Sequence, residues 1–200
     1  MQLSFIFLGR NTMFDWAKLY IRKGNNKLAG TFFEELSISY LSSTYKQYSW
    51  EKTKSSWDGN RDFTSIILDN IWGEAKYKKN STSLRRQDID PTMISGFLDG
   101  KVKLVFIITN GTIPHTINNR MNEVGRKCGF NVIGITRKQL EYWLIIHPEK
   151  YEYFFGEKLS HTEIEEAVCI EDITLTSRLD AHFVSSYTEA EFICGDIYDL

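Results

Sequence analysis

Near the start of the chain, apolar residues recur at the spacing of a helix. Residues 13–23 carry this spacing and end at the turn sequence GNN, which predicts a first helix. Residues 30–45 predict a second helix, with Phe33, Leu36 and Tyr40 on one face. Two helices are therefore expected before the first strand.

The pattern changes to short β-branched and aromatic runs after the second helix. The runs DFTSIIL and IWGEAKY, separated by DN, predict an antiparallel hairpin. A two-residue turn would leave Asp62 and Glu74 on opposite faces. A three-residue loop, residues 69–71, would pair Thr64 with Lys76 and bring Asp62 onto the face of Glu74. A shared face therefore requires an odd loop or a bulge.

Strand and helix signals alternate through the second half of the chain. The first is a helix from about Asp90, with Pro91 at its first position. A buried strand at 103–109 and a helix at 116–130, ended by Gly129, follow. The last two are a buried strand at 131–136 and a closing helix at 137–147. Strands joined through a helix imply a right-handed crossover with parallel pairing, so the sheet is mixed. We predict an α/β domain over residues 1–150. Residues 151–200 are expected to form a small β-rich acidic segment or the start of a second subdomain.

The charge is divided unevenly along the 200 residues. Residues 1–150 carry 22 Lys and Arg against 14 Asp and Glu, whereas residues 151–200 carry 2 against 12. The first part could face a polyanion, since neutralising phosphates releases counterions, although such an excess is also common on a solvated surface.

Several function classes lack support in the sequence. The three cysteines form no CxxC pair, and the four histidines have no partner at metal-ligand spacing. No phosphate-binding GxxxxGK[ST] loop, GxGxxG, HExxH or GxSxG motif is present. We expect neither a signal peptide nor a membrane span, and a cytoplasmic protein fits the cysteine usage best.

Asp62, Glu74 and Lys76 combine residue types that are suited to phosphodiester hydrolysis. Glu74 and Lys76 lie two residues apart on a strand and project from one face, while Ala75 projects from the other. Two carboxylates form an oxygen site suited to Mg²⁺, which keeps several waters and binds phosphate oxygens. A neighbouring ammonium can orient an attacking water and offset charge on the phosphate. The Glu-x-Lys spacing alone also occurs on exposed strands without such a role.

The same region resembles the start of a calcium-binding loop, with Asp58, Asn60 and Asp62 at its first, third and fifth places. Such a loop needs glycine at the sixth place, where Phe63 stands, and glutamate at the last, where Asp69 stands. We therefore reject a calcium loop and expect Asp58 to be a turn residue.

Five segments follow one another in an order shared with a known family. They are GTFFEEL, DGNRDF, WGEAKYKK, FIITNG and NVIGITRKQLEYWL, and they span about residues 28–147. Together they resemble the Mrr-like branch of the PD-(D/E)xK restriction endonuclease superfamily. The resemblance implies a restriction-endonuclease-like αβββαβ core, with a mixed central sheet flanked by helices. It also implies Mg²⁺, for which Mn²⁺ is expected to substitute, and cleavage of nucleic-acid phosphodiester bonds, most often in DNA.

The resemblance also assigns roles residue by residue. Asp62 matches the metal-binding aspartate, Glu74 the second acidic ligand and Lys76 the catalytic lysine. Glu34 matches the glutamate on the first core helix, which can contact a metal or its water. The backbone carbonyl of Ala75 is a further expected metal ligand.

Other candidates for the site are basic or polar residues after the hairpin. Lys78 and Lys79 are expected to contact nucleic-acid phosphate, the alternative being a solvated charged edge. Gln87 is a loose match to a polar residue that the family carries on the next helix, which Pro91 is expected to disturb. For Glu34, the alternative is a favourable interaction with the dipole at the first turn of its helix.

The expected function is that of a Mg²⁺-dependent endodeoxyribonuclease, the cutting module of a restriction or phage-defence system. By resemblance, such domains are often joined to a sensor or ATPase part, to which residues 151–200 would link. A homodimer would suit cleavage of both strands of a duplex, and RNA stays open as a substrate. Two alternatives remain: a nucleic-acid-binding or assembly module that keeps the fold without cutting, and a purely structural interaction domain.

Overall fold

Helices and strands alternate around one mixed sheet in the computed structural model, which describes residues 14–53 and 61–159. The helices are α1 (Ala17–Lys23), α2 (Asn26–Thr44), α3 (Arg86–Asp99), α4 (His115–Cys128), α5 (Arg137–Ile146) and α6 (Pro148–Phe155), with a short 3-10 helix at Lys46–Tyr48. The strands are β1 (Trp50–Lys52), β2 (Phe63–Ser65), β3 (Ile71–Lys76), β4 (Leu104–Thr109) and β5 (Asn131–Ile135). The α/β class and the mixed sheet flanked by helices are as predicted.

The five strands lie in the sheet in chain order. The pairs β1–β2 and β2–β3 are antiparallel, whereas β3–β4 and β4–β5 are parallel, as the helical connections predict. The buried strand predicted at 103–109 is confirmed by β4, every residue of which is buried. The prediction of a second buried strand is wrong, because β5 lies at the edge of the sheet and only Ile135 is buried.

The β2–β3 hairpin differs from the predicted register. Phe63 pairs with Gly73 and Thr64 with Trp72, so the predicted pairing of Thr64 with Lys76 is wrong. The Ser65 hydroxyl accepts hydrogen bonds from the backbone N–H groups of residues 67 and 68, which turns this segment out of the strand. The loop consequently contains five residues, 66–70, an odd number as the prediction required but longer than the three expected.

The starts of α2 and α3 also differ from prediction, each because of a capping side chain. The Asn25 side chain accepts a hydrogen bond from the N–H of Leu28, so α2 begins at Asn26. Helix α3 begins at Arg86, because Asp88 accepts a hydrogen bond from the backbone N–H of Arg85 at 2.8 Å.

The predicted roles of Asp90 and Pro91 at that helix start are therefore wrong. Pro91 lies inside α3, where it has no N–H to donate to the Gln87 carbonyl. Gln87 itself lies in the first turn of the helix. The predicted end of α4 is confirmed, since Gly129 adopts the left-handed conformation that caps the helix.

The predicted boundary at residue 150 falls within helix α6, which follows the predicted closing helix α5. The chain divides into two compact units, residues 1–158 and 159–200. The expectations for residues 160–200, and those for Asp58 and Asn60, lie outside the described residues.

Both faces of the sheet are packed against helices. On one face, Trp72, Val105 and Ile107 form a buried cluster with residues of α3 and α4. On the other face, which α2 covers, the ring of Trp50 contacts the rings of Phe63 and Phe106. Gly73 allows this packing, because a Cβ atom there would lie 2.3 Å from the Phe63 ring and 2.8 Å from the Phe106 carbonyl oxygen.

No helix among residues 14–53 and 61–159 has both the length and the apolar character that a membrane crossing requires.

Candidate metal and phosphate site

The candidate site begins where the β2–β3 ladder bends at Asp62. Its N–H donates to the Gly73 carbonyl at 3.0 Å, although Gly73 is already paired with Phe63. Asp62 therefore does not continue the regular ladder, and its carboxylate turns onto β3, where Oδ2 accepts a 2.7 Å hydrogen bond from the Ala75 N–H. This bond, rather than the predicted register, places Asp62 beside Glu74.

The backbone of Ala75 faces the same edge of β3. In a β-strand, the N–H and the C=O of one residue point toward the same neighbouring strand. Because the Ala75 N–H points at Asp62, the Ala75 carbonyl also points to that side. The predicted carbonyl ligand therefore faces the side of β3 on which the Asp62 carboxylate lies.

Glu74 is the most deeply buried carboxylate of the site, with 7% of its surface exposed. Its Oε1 forms an ion pair with the Lys76 ammonium. Its Oε2 is buried and has no hydrogen-bond partner within the described part of the chain. Burial raises the pKa of Glu74 to about 7; the Lys76 ammonium lowers it and the Asp62 charge raises it.

Asp62 is also harder to ionise than an ordinary aspartate. Burial raises its pKa to about 6, although the hydrogen bond from the Ala75 N–H lowers the pKa in part. The Glu34 charge raises this pKa further, whereas the Lys76 and Lys52 charges lower it. Two neighbouring carboxylates that both resist ionisation form a site where a bound cation would relieve an electrostatic cost.

Glu34 lies within electrostatic reach of Asp62 but is held by another residue. Its Oε2 lies 2.6 Å from the Lys52 ammonium on β1. Because α2 begins at Asn26, Glu34 lies in the helix interior. The first-turn dipole interpretation of Glu34, and its expected place near the beginning of the helix, are therefore wrong.

The predicted basic residues lie along a cleft of about 500 Å³ at the end of β3. Its lining residues are Asn26, Gly30, Ala75, Lys76, Tyr77, Lys78, Lys79, Asn80 and Thr82. The Lys78 ammonium lies 2.5 Å from Asp88 Oδ1, and the Lys79 ammonium lies 3.7 Å from the centre of the Tyr20 ring. Gln87 is exposed beside Asp88 and is not among the lining residues.

Three residues that support the site escaped prediction. Lys52 binds Glu34, Asp88 binds Lys78, and the fully buried Asn110 binds the backbone of Lys78. Asn110 follows directly after the buried strand predicted at 103–109, a position where a polar side chain needs hydrogen-bond partners. This was the one available signal in the sequence.

The donor atoms present fit a hard divalent cation such as Mg²⁺. They are the Asp62 carboxylate, the Ala75 carbonyl and Glu74 Oε2, which no other described residue engages. No group of three or more His, Cys, Asp or Glu side chains that could hold a metal occurs in residues 14–53 and 61–159. A cation here would therefore depend on two carboxylates, the carbonyl and waters, a ligand set that Mg²⁺ accepts.

No protein-family model matches the chain, and no curated protein matches it significantly.

Proposed function

We propose that the chain is a Mg²⁺-dependent endonuclease that hydrolyses DNA phosphodiester bonds, the nuclease module of a restriction or phage-defence system. The observation that carries this proposal is a pair of carboxylates, the half-buried Asp62 and the buried Glu74, beside Lys76. One buried oxygen of Glu74 has no hydrogen-bond partner in residues 14–53 and 61–159, and a buried polar atom without a partner costs free energy unless a ligand satisfies it.

The order of the elements supports a PD-(D/E)xK restriction-endonuclease-like core. Such a core requires a helix, three strands, a helix and a further strand, and α2, β1, β2, β3, α3 and β4 follow in that order. Asp62 directly precedes the second of these strands, Glu74 lies on the third, and the lysine stands two residues after the glutamate, as the proposal requires.

In this proposal Asp62, Glu74 and the Ala75 carbonyl would hold the metal, and Glu34 would contact it through a water. When bound, the cation supplies an activated water and charge that offsets the negative charge of the phosphate. Asp62 and Glu74 must give up their protons to bind the cation. Because their pKa values are raised, the affinity for the cation should depend on pH.

Lys76 acts in this proposal as a hydrogen-bond donor to the attacking water and the phosphate. Its ammonium is held beside the site by Glu74 and is partly exposed to the cleft. A cation in this position stabilises the additional negative charge that develops when water attacks phosphorus. Lys78, Lys79 and Gln87 contact neighbouring parts of the nucleic acid in the same proposal.

One observation favours the alternative of a binding module that does not cut. The Glu74–Lys76 ion pair balances part of the charge of the site without a metal, and no third acidic ligand joins it within the described residues. A protein of this kind would bind nucleic acid and remain inactive with Mg²⁺ and with Mn²⁺.

Incubation of the full chain with supercoiled plasmid in Mg²⁺, Mn²⁺ or EDTA tests the proposal. We expect nicking or linearisation in either metal, none in EDTA, and loss of cleavage in Lys76→Ala. Lys103→Ala is the matched control, because Lys103 is an exposed lysine just before β4, at the other end of the parallel β3–β4 pair. Absence of cleavage in both metals, or cleavage that survives Lys76→Ala, would contradict the proposal.

A further inference from the structure

The segment that follows β3 is tied to the end of β4 by Asn110. This side chain is fully buried. Its Oδ1 accepts a 2.7 Å hydrogen bond from the Lys78 N–H, and its Nδ2 donates a 2.8 Å bond to the Lys78 carbonyl. Both backbone groups of Lys78 are thus bound by one side chain, 32 residues away in the sequence.

The paired bonds extend the sheet beyond the last backbone pair. The β3–β4 register ends at Lys76 opposite Thr109. An amide side chain offers both a donor and an acceptor, so Asn110 takes the place of a strand backbone for Lys78. Neither Asp nor a hydroxyl residue can supply the same two bonds, because one lacks the amide donor and the other has a single polar atom.

The two neighbours of Asn110 hold the same segment. The Thr109 hydroxyl donates to the Lys76 carbonyl at 2.9 Å. A Cβ atom on Gly111 would lie 2.0 Å from the Thr82 carbonyl oxygen, so the absence of a side chain lets the segment approach closely. Three consecutive residues therefore fix the segment that lines the cleft.

The side chain of Lys78 is fixed as well. Its ammonium binds Asp88 Oδ1, while Asp88 Oδ2 accepts the hydrogen bond from the Arg85 N–H that caps α3. Lys78 is consequently held at its backbone by Asn110 and at its ammonium by Asp88. A lysine held at both ends loses little conformational entropy when it meets a phosphate at that position.

We propose that Asn110 is a positioning residue for nucleic-acid binding, which acts through Lys78 by fixing where that lysine meets the substrate phosphate. The inference rests on the proposed function, because it assumes a nucleic-acid substrate. Asn110 itself touches neither the substrate nor the metal. Its effect is on affinity, and the carboxylates of Asp62 and Glu74 keep their own hydrogen bonds without it.

The test compares Asn110→Ala, Lys78→Ala and the double variant. Binding of a fluorescein-labelled DNA oligonucleotide is measured by anisotropy over a series of KCl concentrations, with Ca²⁺ in place of Mg²⁺ to prevent turnover. We expect each single variant to raise Kd about tenfold and to lower the salt slope by about one. The double variant should bind no more weakly than Lys78→Ala, because the two residues act through one contact.

Ser65→Ala is the matched control for a loss of stability alone. Its buried hydroxyl also ties a neighbouring segment, through bonds to the backbone of Tyr48, Ile67 and Leu68, but at the end of β2 away from Asp62. We expect Ser65→Ala to leave Kd and the salt slope unchanged. Calorimetric titration with Mn²⁺ should give the same affinity for Asn110→Ala as for the wild type. Where Asn110→Ala does not fold, Asn110→Asp has the same shape, keeps an oxygen that can accept from the Lys78 N–H and loses the amide donor, and it should also raise Kd.

Four results would overturn the inference while leaving the proposed function standing. These are unchanged binding by Asn110→Ala, unchanged binding by Lys78→Ala, additive losses in the double variant, and an equal loss in Ser65→Ala. If the wild-type chain binds no oligonucleotide, the proposed function fails and the inference fails with it.

Discussion

Replacing Glu74 with glutamine should stabilise the protein while removing its proposed activity. Glu74 is 7% exposed, and its Oε2 is buried without a hydrogen-bond partner among the described residues. Ionising such a carboxyl is unfavourable, even though the Lys76 ammonium offsets part of the cost. Glutamine has nearly the same shape and carries no charge, so Glu74→Gln removes the cost of ionisation.

The magnitude follows from the pKa of Glu74, which burial raises from 4.5 to about 7. At about 1.4 kcal/mol per pKa unit, ionised Glu74 lowers the free energy of unfolding by up to about 3 kcal/mol. The native state holds this proton more tightly than the unfolded chain. The stability of the wild type therefore falls as the pH rises from 4.5 to about 7, and the full cost is present above that range.

Urea denaturation at about pH 4 and about pH 8, in EDTA and followed by tryptophan fluorescence, measures this difference. Glu74→Gln should match the wild type at the lower pH and exceed it by about 2 to 3 kcal/mol at the higher pH. Glu123→Gln is the matched control, because Glu123 is an exposed glutamate paired with Lys127 and should show no such gain. Equal stability of Glu74→Gln and wild type at the higher pH, or a lower stability of the variant, would show that ionised Glu74 does not destabilise the protein.

Two further substitutions and a pH profile test the packing of the sheet and the roles of the carboxylates. Gly73→Ala should lower the free energy of unfolding by more than about 2 kcal/mol, because its Cβ would lie 2.3 Å from the Phe63 ring. Gly30→Ala is the control and should not destabilise the protein, because a Cβ atom there meets no atom within 4 Å. Equal urea midpoints for the two variants would contradict this prediction. Glu34→Gln should reduce kcat less than Asp62→Asn does, because Lys52 already engages the Glu34 carboxylate, and a larger loss for Glu34→Gln would mean that it binds metal directly. The cleavage rate at limiting Mg²⁺ should rise as the pH passes the pKa values of Asp62 and Glu74, about 6 and about 7, and a flat profile over that range would oppose their role as ligands.

Local signals predicted those elements whose ends depend on nearby residues. Gly129 ends α4 because glycine alone adopts its left-handed conformation readily, and the apolar run of β4 can only be buried. The prediction for α3 was wrong because Pro91 was placed at a helix start, whereas the capping carboxylate belongs to Asp88.

The candidate residues could be chosen from the sequence, but their geometry could not be predicted. Asp62, Glu74 and Lys76 are close in sequence, so their residue types could be recognised together. The bend at Asp62 depends on its bond to Ala75, and the segment after β3 depends on the bonds between Asn110 and Lys78. The partners in these contacts are separated by 13 and by 32 positions in the sequence. Such contacts arise only when the sheet has formed, and no periodicity in the sequence encodes them.

The most direct test of the central claim is a calorimetric titration of Mn²⁺ into the full chain at about pH 8, where the carboxyls of Asp62 and Glu74 are ionised. We expect saturable binding in the wild type that is lost in Asp62→Asn and retained in Glu123→Gln. Absence of binding in the wild type, or binding that Asp62→Asn leaves unchanged, would contradict the claim that this carboxylate pair holds the metal for phosphodiester cleavage.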